Sequence, residues 1–224
     1  LLVLAIFGLL ILSQPDLGST LVIGALVIAI LFFAGISFSQ FILLLPLMGI
    51  LTVVAIYFEP YRYLRFISFT EPFEDFRGAG WQLSNALLGI GRGEWFGVGL
   101  GNSLQKNLYL PEPHTDFIFA VIVEEFGLIG GLIVILLFAV LIFGIIKTSI
   151  KALELGKLFQ GFLVFGAGIL IAIQASFNIG VNLGILPTKG LTLPFISYGG
   201  TSLILFMFLM GVVLRINFEN KTIK

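Results

Sequence analysis

Long apolar runs separated by short polar breaks dominate the chain. A membrane-spanning helix needs roughly 20 mostly apolar residues, and six runs approach or reach that length. The predicted spans are residues 1–12, 18–36, 38–58, 117–146, 158–180 and 195–214. The first run is too short to span a bilayer and is typical of a truncated helix, so we expect the chain to be the C-terminal part of a longer protein. The pattern predicts an all-α, polytopic membrane helical bundle that forms a single domain over residues 1–224.

A polar, glycine-rich stretch, residues 59–116, separates the third and fourth predicted spans. A loop of that length is usually functional. Residues 61–66 (YRYLRF) interleave aromatic with basic side chains, which favours a position at the headgroup level of the membrane. Residues 81–88 predict a short amphipathic helix, and the closely spaced glycines of residues 89–101 predict an irregular backbone pressed against a ligand or another chain.

The basic residues of the short loops predict the orientation. They form two groups on one side of the membrane: Lys147, Lys151 and Lys157 after the fourth span, and Arg215, Lys221 and Lys224 after the sixth. Cytoplasmic loops carry an excess of Lys and Arg. We therefore expect the C-terminus to be cytoplasmic and residues 59–116 to form a large extracytoplasmic loop.

Composition supports a membrane protein and excludes several functions. The chain is 58% hydrophobic and only 11% charged, whereas soluble domains carry about 25% charged residues. Its net charge is zero, so the sequence gives no indication of nucleic-acid binding. It has no Cys, which excludes disulfides, thiolate metal sites and Cys nucleophiles.

Four sequence blocks carry a specific resemblance. They are residues 14–20 (QPDLGST), 110–117 (LPEPHTDF), 124–127 (EEFG) and 187–200 (PTKGLTLPFISYGG). In this order they resemble the SEDS family (shape, elongation, division, sporulation), and residues 101–106 and 187–194 resemble its division-type members. The resemblance implies a ten-span helical fold, of which this chain would hold spans five to ten.

The resemblance also implies a function. It implies a peptidoglycan glycosyltransferase that polymerises lipid II at the outer face of the bacterial cytoplasmic membrane, during septal cell-wall synthesis in cell division. The implied partners are a class B penicillin-binding protein and other membrane proteins of the division complex. The essential Asp of the family's Thr-Asp-Phe motif corresponds to Asp116.

The reaction needs a carboxylate that takes a proton from a sugar hydroxyl and positive charge that steadies the departing pyrophosphate. Asp116, at the start of the fourth span, is the candidate general base. Helix capping by Thr115 or Asp116 is the structural alternative. Glu112 is a candidate second acid or a solvated loop charge. His114, the chain's one His, favours an orienting hydrogen bond more than a metal site.

Other polar residues have open roles. Glu124 and Glu125 lie within the fourth span, where carboxylates are costly; either serves the substrate or forms an interhelical salt bridge. The best-placed cation for the pyrophosphate is Lys189, which lies on the outer turn between the fifth and sixth spans. Other candidates, in the long loop, are Arg62, Arg65, Arg77, Arg92 and Lys106. Five further polar residues either contact the substrate or have a purely structural role: Asp16, Asn178, Asn182, Ser197 and Tyr198. A divalent cation, Mg²⁺ or Mn²⁺, is a candidate cofactor, although the residues show no ligand set of defined geometry.

Two other functions compete with polymerisation. A lipid II flippase would need polar residues through the membrane depth and an inverted repeat, and the six segments show no convincing repeat. A non-catalytic division scaffold would need only long outer loops and packing surfaces. The asymmetric polar loop favours chemistry at the outer face.

Overall fold

The computed structural model describes residues 17–74, 78 and 80–222 of the chain. Within these residues it forms seven α-helices and one π-helix. They are α1 (Leu17–Phe33), α2 (Phe38–Tyr57), α3 (Pro60–Thr70), α4 (Trp81–Gly93), the π-helix Gln105–Tyr109, α5 (Ile118–Glu154), α6 (Leu158–Asn182) and α7 (Gly200–Thr222). The predicted all-α membrane fold is confirmed.

Four helices, α2, α5, α6 and α7, are long and apolar enough to cross a membrane. Helix α1, with 17 residues, is apolar but shorter, and the predicted span at residues 1–12 lies outside the described part of the chain. Pro46 lies inside α2. The predicted start of the last span at residue 195 is wrong. Phe195 has φ +66°, a left-handed conformation that a helix excludes, and the helix begins at Gly200.

The predicted loop between α2 and α5 contains regular structure. Helix α4 confirms the amphipathic helix predicted at residues 81–88 and continues to Gly93. Helix α3 carries the aromatic and basic residues 61–66. The π-helix precedes the Pro-containing turn that leads to Asp116.

Residues that are close in space group into two compact units. The first comprises Leu1–Phe58, Leu141–Ile173 and Met207–Lys224, and the second comprises Glu59–Val140 and Gln174–Phe206. In the first unit the ring of Phe33 on α1 stacks on Phe165 of α6, with 3.8 Å between centroids. Gly166 lies against Ile30, which lets the two helices approach closely, as small residues do in membrane bundles.

The second unit has its own hydrophobic core. Phe117, immediately before α5, and Ala120 and Val121 near its start pack with residues of α4 and α6, among them Ala86 and Val181. Because the burial of apolar surface fixes these helix ends against one another, the polar residues beside them are held on a rigid support. All the site residues described below belong to this unit.

Candidate active site

The loop before α5 is held by its backbone carbonyls. The Tyr198 N–H donates to the His114 carbonyl at 2.8 Å, and the Ser197 hydroxyl donates to the Thr115 carbonyl at 2.5 Å. The Ser197 oxygen also accepts the Leu193 N–H at 2.7 Å. Ser197, a candidate substrate contact in the sequence, is buried and joins two segments of the fold. Tyr198 leaves its side chain 79% exposed.

Asp116 is held through its own backbone carbonyl. Its backbone oxygen accepts hydrogen bonds from the side-chain amides of Asn178, at 2.8 Å, and Asn182, at 2.9 Å. Both asparagines lie near the end of α6 and are buried. Three consecutive carbonyls, those of residues 114–116, are therefore fixed by donors from other parts of the chain. The position of the Asp116 side chain follows from this anchorage.

The Asp116 carboxylate lies against the segment that contains Lys189. A Cβ atom placed on Gly190 would lie 3.0 Å from Asp116 Oδ2, so the carboxylate touches the bare backbone of Gly190. Consecutive Cα atoms are about 3.8 Å apart, which places the Lys189 Cα within roughly 8 Å of the carboxylate. Both side chains are partly buried. The structure thus brings together the predicted base and the cation that the sequence placed best.

Glu112 and His114 are exposed on the same turn. Glu112 has φ +52°, and its carboxylate accepts the Thr115 hydroxyl at 3.0 Å. The hydroxyl of Thr115 therefore turns back toward the loop. Both Glu112 and His114 remain accessible to a substrate, and no contact of theirs decides between the roles the sequence left open.

Glu124 is enclosed by its own partners. The residue is fully buried. Its carboxylate accepts hydrogen bonds from Arg92 at 3.0 Å, from the Ser103 hydroxyl at 2.5 Å and from the Leu104 N–H at 3.1 Å. Three donors satisfy most of the capacity of a carboxylate. Because Arg92 lies on α4 and Glu124 on α5, this arrangement is the interhelical salt bridge that the sequence offered as the structural alternative.

Glu125 makes a second ion pair beside the first. Lys106 Nζ lies 2.7 Å from Glu125 Oε1. The Lys106 N–H donates to the Ser103 hydroxyl, which in turn donates to Glu124. The two carboxylates thus share one continuous network with two cations. Lys106, a candidate for the pyrophosphate in the sequence, neutralises a buried acid in the structure.

Helix α5 is interrupted immediately after these acids. Gly127 has φ +72° and ψ −176°, a conformation outside the helical region. The segment of residues 94–99 inserts at the break and supplies the missing partners. Four hydrogen bonds cross it: Val98 N–H to Glu124 C=O (2.9 Å), Gly99 N–H to Glu125 C=O (3.1 Å), Leu128 N–H to Glu94 C=O (2.8 Å) and Ile129 N–H to Trp95 C=O (3.3 Å).

This insertion explains how a membrane helix tolerates a break. Backbone groups freed inside a span must be satisfied by protein, because lipid offers no partner. The irregular backbone that the glycines predicted is therefore present at residues 94–101, and the surface it presses against is the chain's own helix. Gly89, Gly91 and Gly93 lie within α4, so that part of the prediction is wrong.

Several predicted residues have side chains outside the described part of the chain. Arg62 and Arg65 lie on α3, but their side chains, like Asp16 and Arg77, are not among the described parts of the chain. Among the described residues, no group of three or more His, Asp or Glu side chains lies together in a way that could hold a metal ion.

Sequence reasoning missed three contributors to the site. Gly190 touches the Asp116 carboxylate, Gly127 breaks the helix, and Ser103 links the two ion pairs. Gly127 and Gly190 belong to the blocks that carry the family resemblance, which was the available signal for them. Ser103 lies within residues 101–106, which also carry the family resemblance, but nothing in the sequence pairs it with Glu124.

Comparison with known proteins identifies the family. The family model FTSW_RODA_SPOVE, described as cell cycle protein, matches residues 1–222. The chain is 48% identical over 221 residues to the probable peptidoglycan glycosyltransferase FtsW of Pasteurella multocida, covering 99% of this chain and 56% of the relative. It is 50% identical over 220 residues to the protein of the same name from Haemophilus influenzae, covering 98% of this chain and 56% of the relative.

Solved structures give the same result. One solved chain matches with TM-score 0.75 and 26% identity, covering 97% of this chain and 61% of that one. Its structure is described as "Structural coordination of polymerization and crosslinking by a peptidoglycan synthase complex". A variant of the Thermus thermophilus rod shape determining protein RodA matches with TM-score 0.62 and 27% identity, covering 96% of this chain and 54% of that one. This chain spans a little over half the length of the curated relatives it matches. With a family model that matches nearly the whole chain, the protein belongs to the FtsW/RodA/SpoVE family, the SEDS family of the sequence resemblance.

Proposed function

We propose that the protein containing this chain is a peptidoglycan glycosyltransferase that polymerises lipid II at the outer face of the cytoplasmic membrane, with Asp116 as its general base. The observation that carries the proposal is the placement of one carboxylate. Asp116 lies at the start of a candidate membrane span, fixed through its carbonyl and set against the Lys189–Gly190 segment. Two relatives that are about half identical to the chain are named as probable enzymes of this class.

The chemistry matches these residues. A sugar hydroxyl attacks the anomeric carbon of a lipid-linked sugar, the bond from that carbon to the pyrophosphate oxygen breaks, and a new glycosidic bond forms. The Asp116 carboxylate takes the hydroxyl proton, and the departing pyrophosphate keeps the electron pair of the broken bond. Lys189 supplies positive charge near the leaving group. Lipid II stays anchored in the membrane, so the reaction needs a base at the bilayer border.

The role of a divalent cation is a separate question. Mg²⁺ usually binds through one or two carboxylates together with substrate phosphates. Among the described residues, no group of three or more His, Asp or Glu side chains lies together. Chelation followed by stepwise return of Mg²⁺ or Mn²⁺ tests the requirement directly.

The proposed setting is the division septum. A class B penicillin-binding protein is the proposed partner, because one matching structure comes from a complex described by both polymerization and crosslinking. The positive-inside pattern supports a cytoplasmic C-terminus and an outer Asp116. Accessibility of a Cys introduced at position 112 or 221 to an impermeant thiol reagent, measured against the full-length protein without the introduced Cys, tests this orientation; this chain itself has no native Cys.

The activity itself is tested with the full-length protein and its penicillin-binding partner reconstituted in liposomes with lipid II. We expect glycan strands from the wild type and about a 100- to 10,000-fold lower rate from Asp116→Asn, which is the usual range for loss of a general base. Glu154→Gln is the matched control, because Glu154 is an exposed carboxylate at the opposite end of the same helix. Flipping of lipid II without glycan product would contradict the proposal and favour a transporter.

A further inference from the structure

Two buried asparagines near the end of α6 contact the backbone of Asp116. Asn178 is 2% exposed and Asn182 is fully buried. Residues four apart on a helix lie on the same face, and here the pair also interacts, since Asn182 Nδ2 donates to the Asn178 carbonyl at 2.8 Å. Buried amides are costly unless they are hydrogen-bonded, so what these two side chains hold is informative.

Asn182 inserts into the first turn of α5. Ala120 lies in the first turn of α5, where backbone N–H groups have no carbonyl partner within the helix. The Ala120 N–H donates to Asn182 Oδ1 at 2.9 Å, and Asn182 Nδ2 donates to the Asp116 carbonyl at 2.9 Å. The side-chain amide thus satisfies one unpaired donor at the start of the helix and joins it to the carbonyl of Asp116.

Asn178 links the backbone of Asp116 to the segment of residues 189–191, which faces the carboxylate. Its amide donates to the Asp116 carbonyl at 2.8 Å and to the Leu191 carbonyl at 2.6 Å. Leu191 follows Gly190, which touches Asp116 Oδ2. The two asparagines therefore set the distance between the carboxylate and the segment that carries Lys189.

We propose that Asn182, supported by Asn178, is a positioning residue for the proposed base, acting through the backbone of Asp116 and Ala120. This inference rests on the proposed function. It differs from the role as a substrate contact that the sequence left open, because Asn182 has no surface exposed to a substrate. A misplacement of about 1 Å at a reacting group costs on the order of 100-fold in rate.

The test substitutes Asn182→Leu, which keeps the branching at Cγ and removes every side-chain hydrogen bond. In the reconstituted full-length protein we expect kcat to fall about 10- to 100-fold while KM for lipid II stays within about twofold, because binding surfaces are untouched and only the alignment of the base is lost. A substrate-binding role predicts the reverse, with a raised KM.

Asn220→Leu is the matched control for a merely structural effect. Asn220 is also a buried asparagine, 1% exposed, and donates to a helix carbonyl, that of Thr148, at 3.2 Å. It belongs to the other compact unit. Both variants should lower the melting temperature, and the loss of kcat should be confined to Asn182→Leu. Equal kcat values for the two variants would overturn the inference.

A second readout does not depend on activity. Amide hydrogen exchange in residues 114–121 should be faster in Asn182→Leu than in the wild type and unchanged in Asn220→Leu. Unchanged exchange at 114–121 in Asn182→Leu overturns the positioning role, whether or not lipid II is polymerised. Absence of glycan from the wild type contradicts only the proposed function. If Asn182→Leu does not accumulate in membranes, Asn178→Ala, which removes two donors, is predicted to show the same changes to a smaller extent.

Discussion

The break in α5 gives the sharpest prediction about stability. Gly127 has φ +72° and ψ −176°, a region that is essentially restricted to glycine. Its Cα faces the backbone of Trp95, since an added Cβ would lie 2.2 Å from the Trp95 carbonyl oxygen. The substitution Gly127→Ala therefore strains the backbone and pushes the inserted segment out of the break at the same time.

The magnitude follows from these two effects. Holding a non-glycine residue in such a conformation costs about 1–3 kcal/mol. The clash is with backbone, so the segment at residues 94–99 must move, and four hydrogen bonds cross the break. At about 0.5–1.5 kcal/mol each, their full loss would cost about 2–6 kcal/mol. We expect Gly127→Ala to destabilise the protein by roughly 3–9 kcal/mol, enough to unfold many proteins.

Two other glycines separate the contributions. Gly101 has φ +84° and nothing within 4 Å of an added Cβ, so Gly101→Ala should cost only the conformational strain. Gly144 is helical, lies in the same helix as Gly127 and also has open space, so Gly144→Ala should be neutral or stabilise by up to about 1 kcal/mol. Thermal unfolding of the purified full-length protein in detergent should rank the variants as Gly144→Ala, Gly101→Ala and Gly127→Ala, from most to least stable.

The ranking can fail in an informative way. If Gly127→Ala unfolds at the same temperature as Gly101→Ala, the contact with Trp95 and the crossing hydrogen bonds contribute nothing measurable. The inserted segment would then not stabilise the break, and the reasoning above would be wrong.

Two further predictions concern the residues around the carboxylates. Gly190→Ala places a Cβ 3.0 Å from Asp116 Oδ2, so the carboxylate must shift; we expect about a 10-fold lower kcat with an unchanged melting temperature, and an unchanged kcat would argue against the contact. Glu124→Gln leaves Arg92 without its charged partner and should cost about 1–3 kcal/mol, measured by thermal unfolding. The double variant Glu124→Gln with Arg92→Gln should recover part of that loss, and strict additivity would show that the pair is not coupled.

The membrane helices were predictable because hydropathy over a window of helix length is a local property of the sequence. Asp116 at a helix border was predictable for the same reason. The break at Gly127 was not, since the apolar run continues through it without a change of composition. The hydrogen bonds that make the break possible come from residues 94–99, and sequence patterns do not specify such non-local pairs.

The candidate site shows the same division between local and non-local information. For Asn178 and Asn182 the sequence left a substrate contact or a structural role open. Their partners, the carbonyl of Asp116 and the N–H of Ala120, lie about sixty residues earlier in the chain. Glu124 and Glu125 likewise find Arg92 and Lys106 on elements that the sequence assigned to a polar loop.

The central claim is that the Asp116 carboxylate performs the proton transfer and is not needed to bind the substrate. Lipid II binding and glycan formation, measured side by side on wild type and Asp116→Asn in the reconstituted full-length complex, test it most directly. The account predicts that Asp116→Asn binds lipid II within about threefold of the wild type while glycan formation is lost. Glycan formation by Asp116→Asn at the wild-type rate would contradict it.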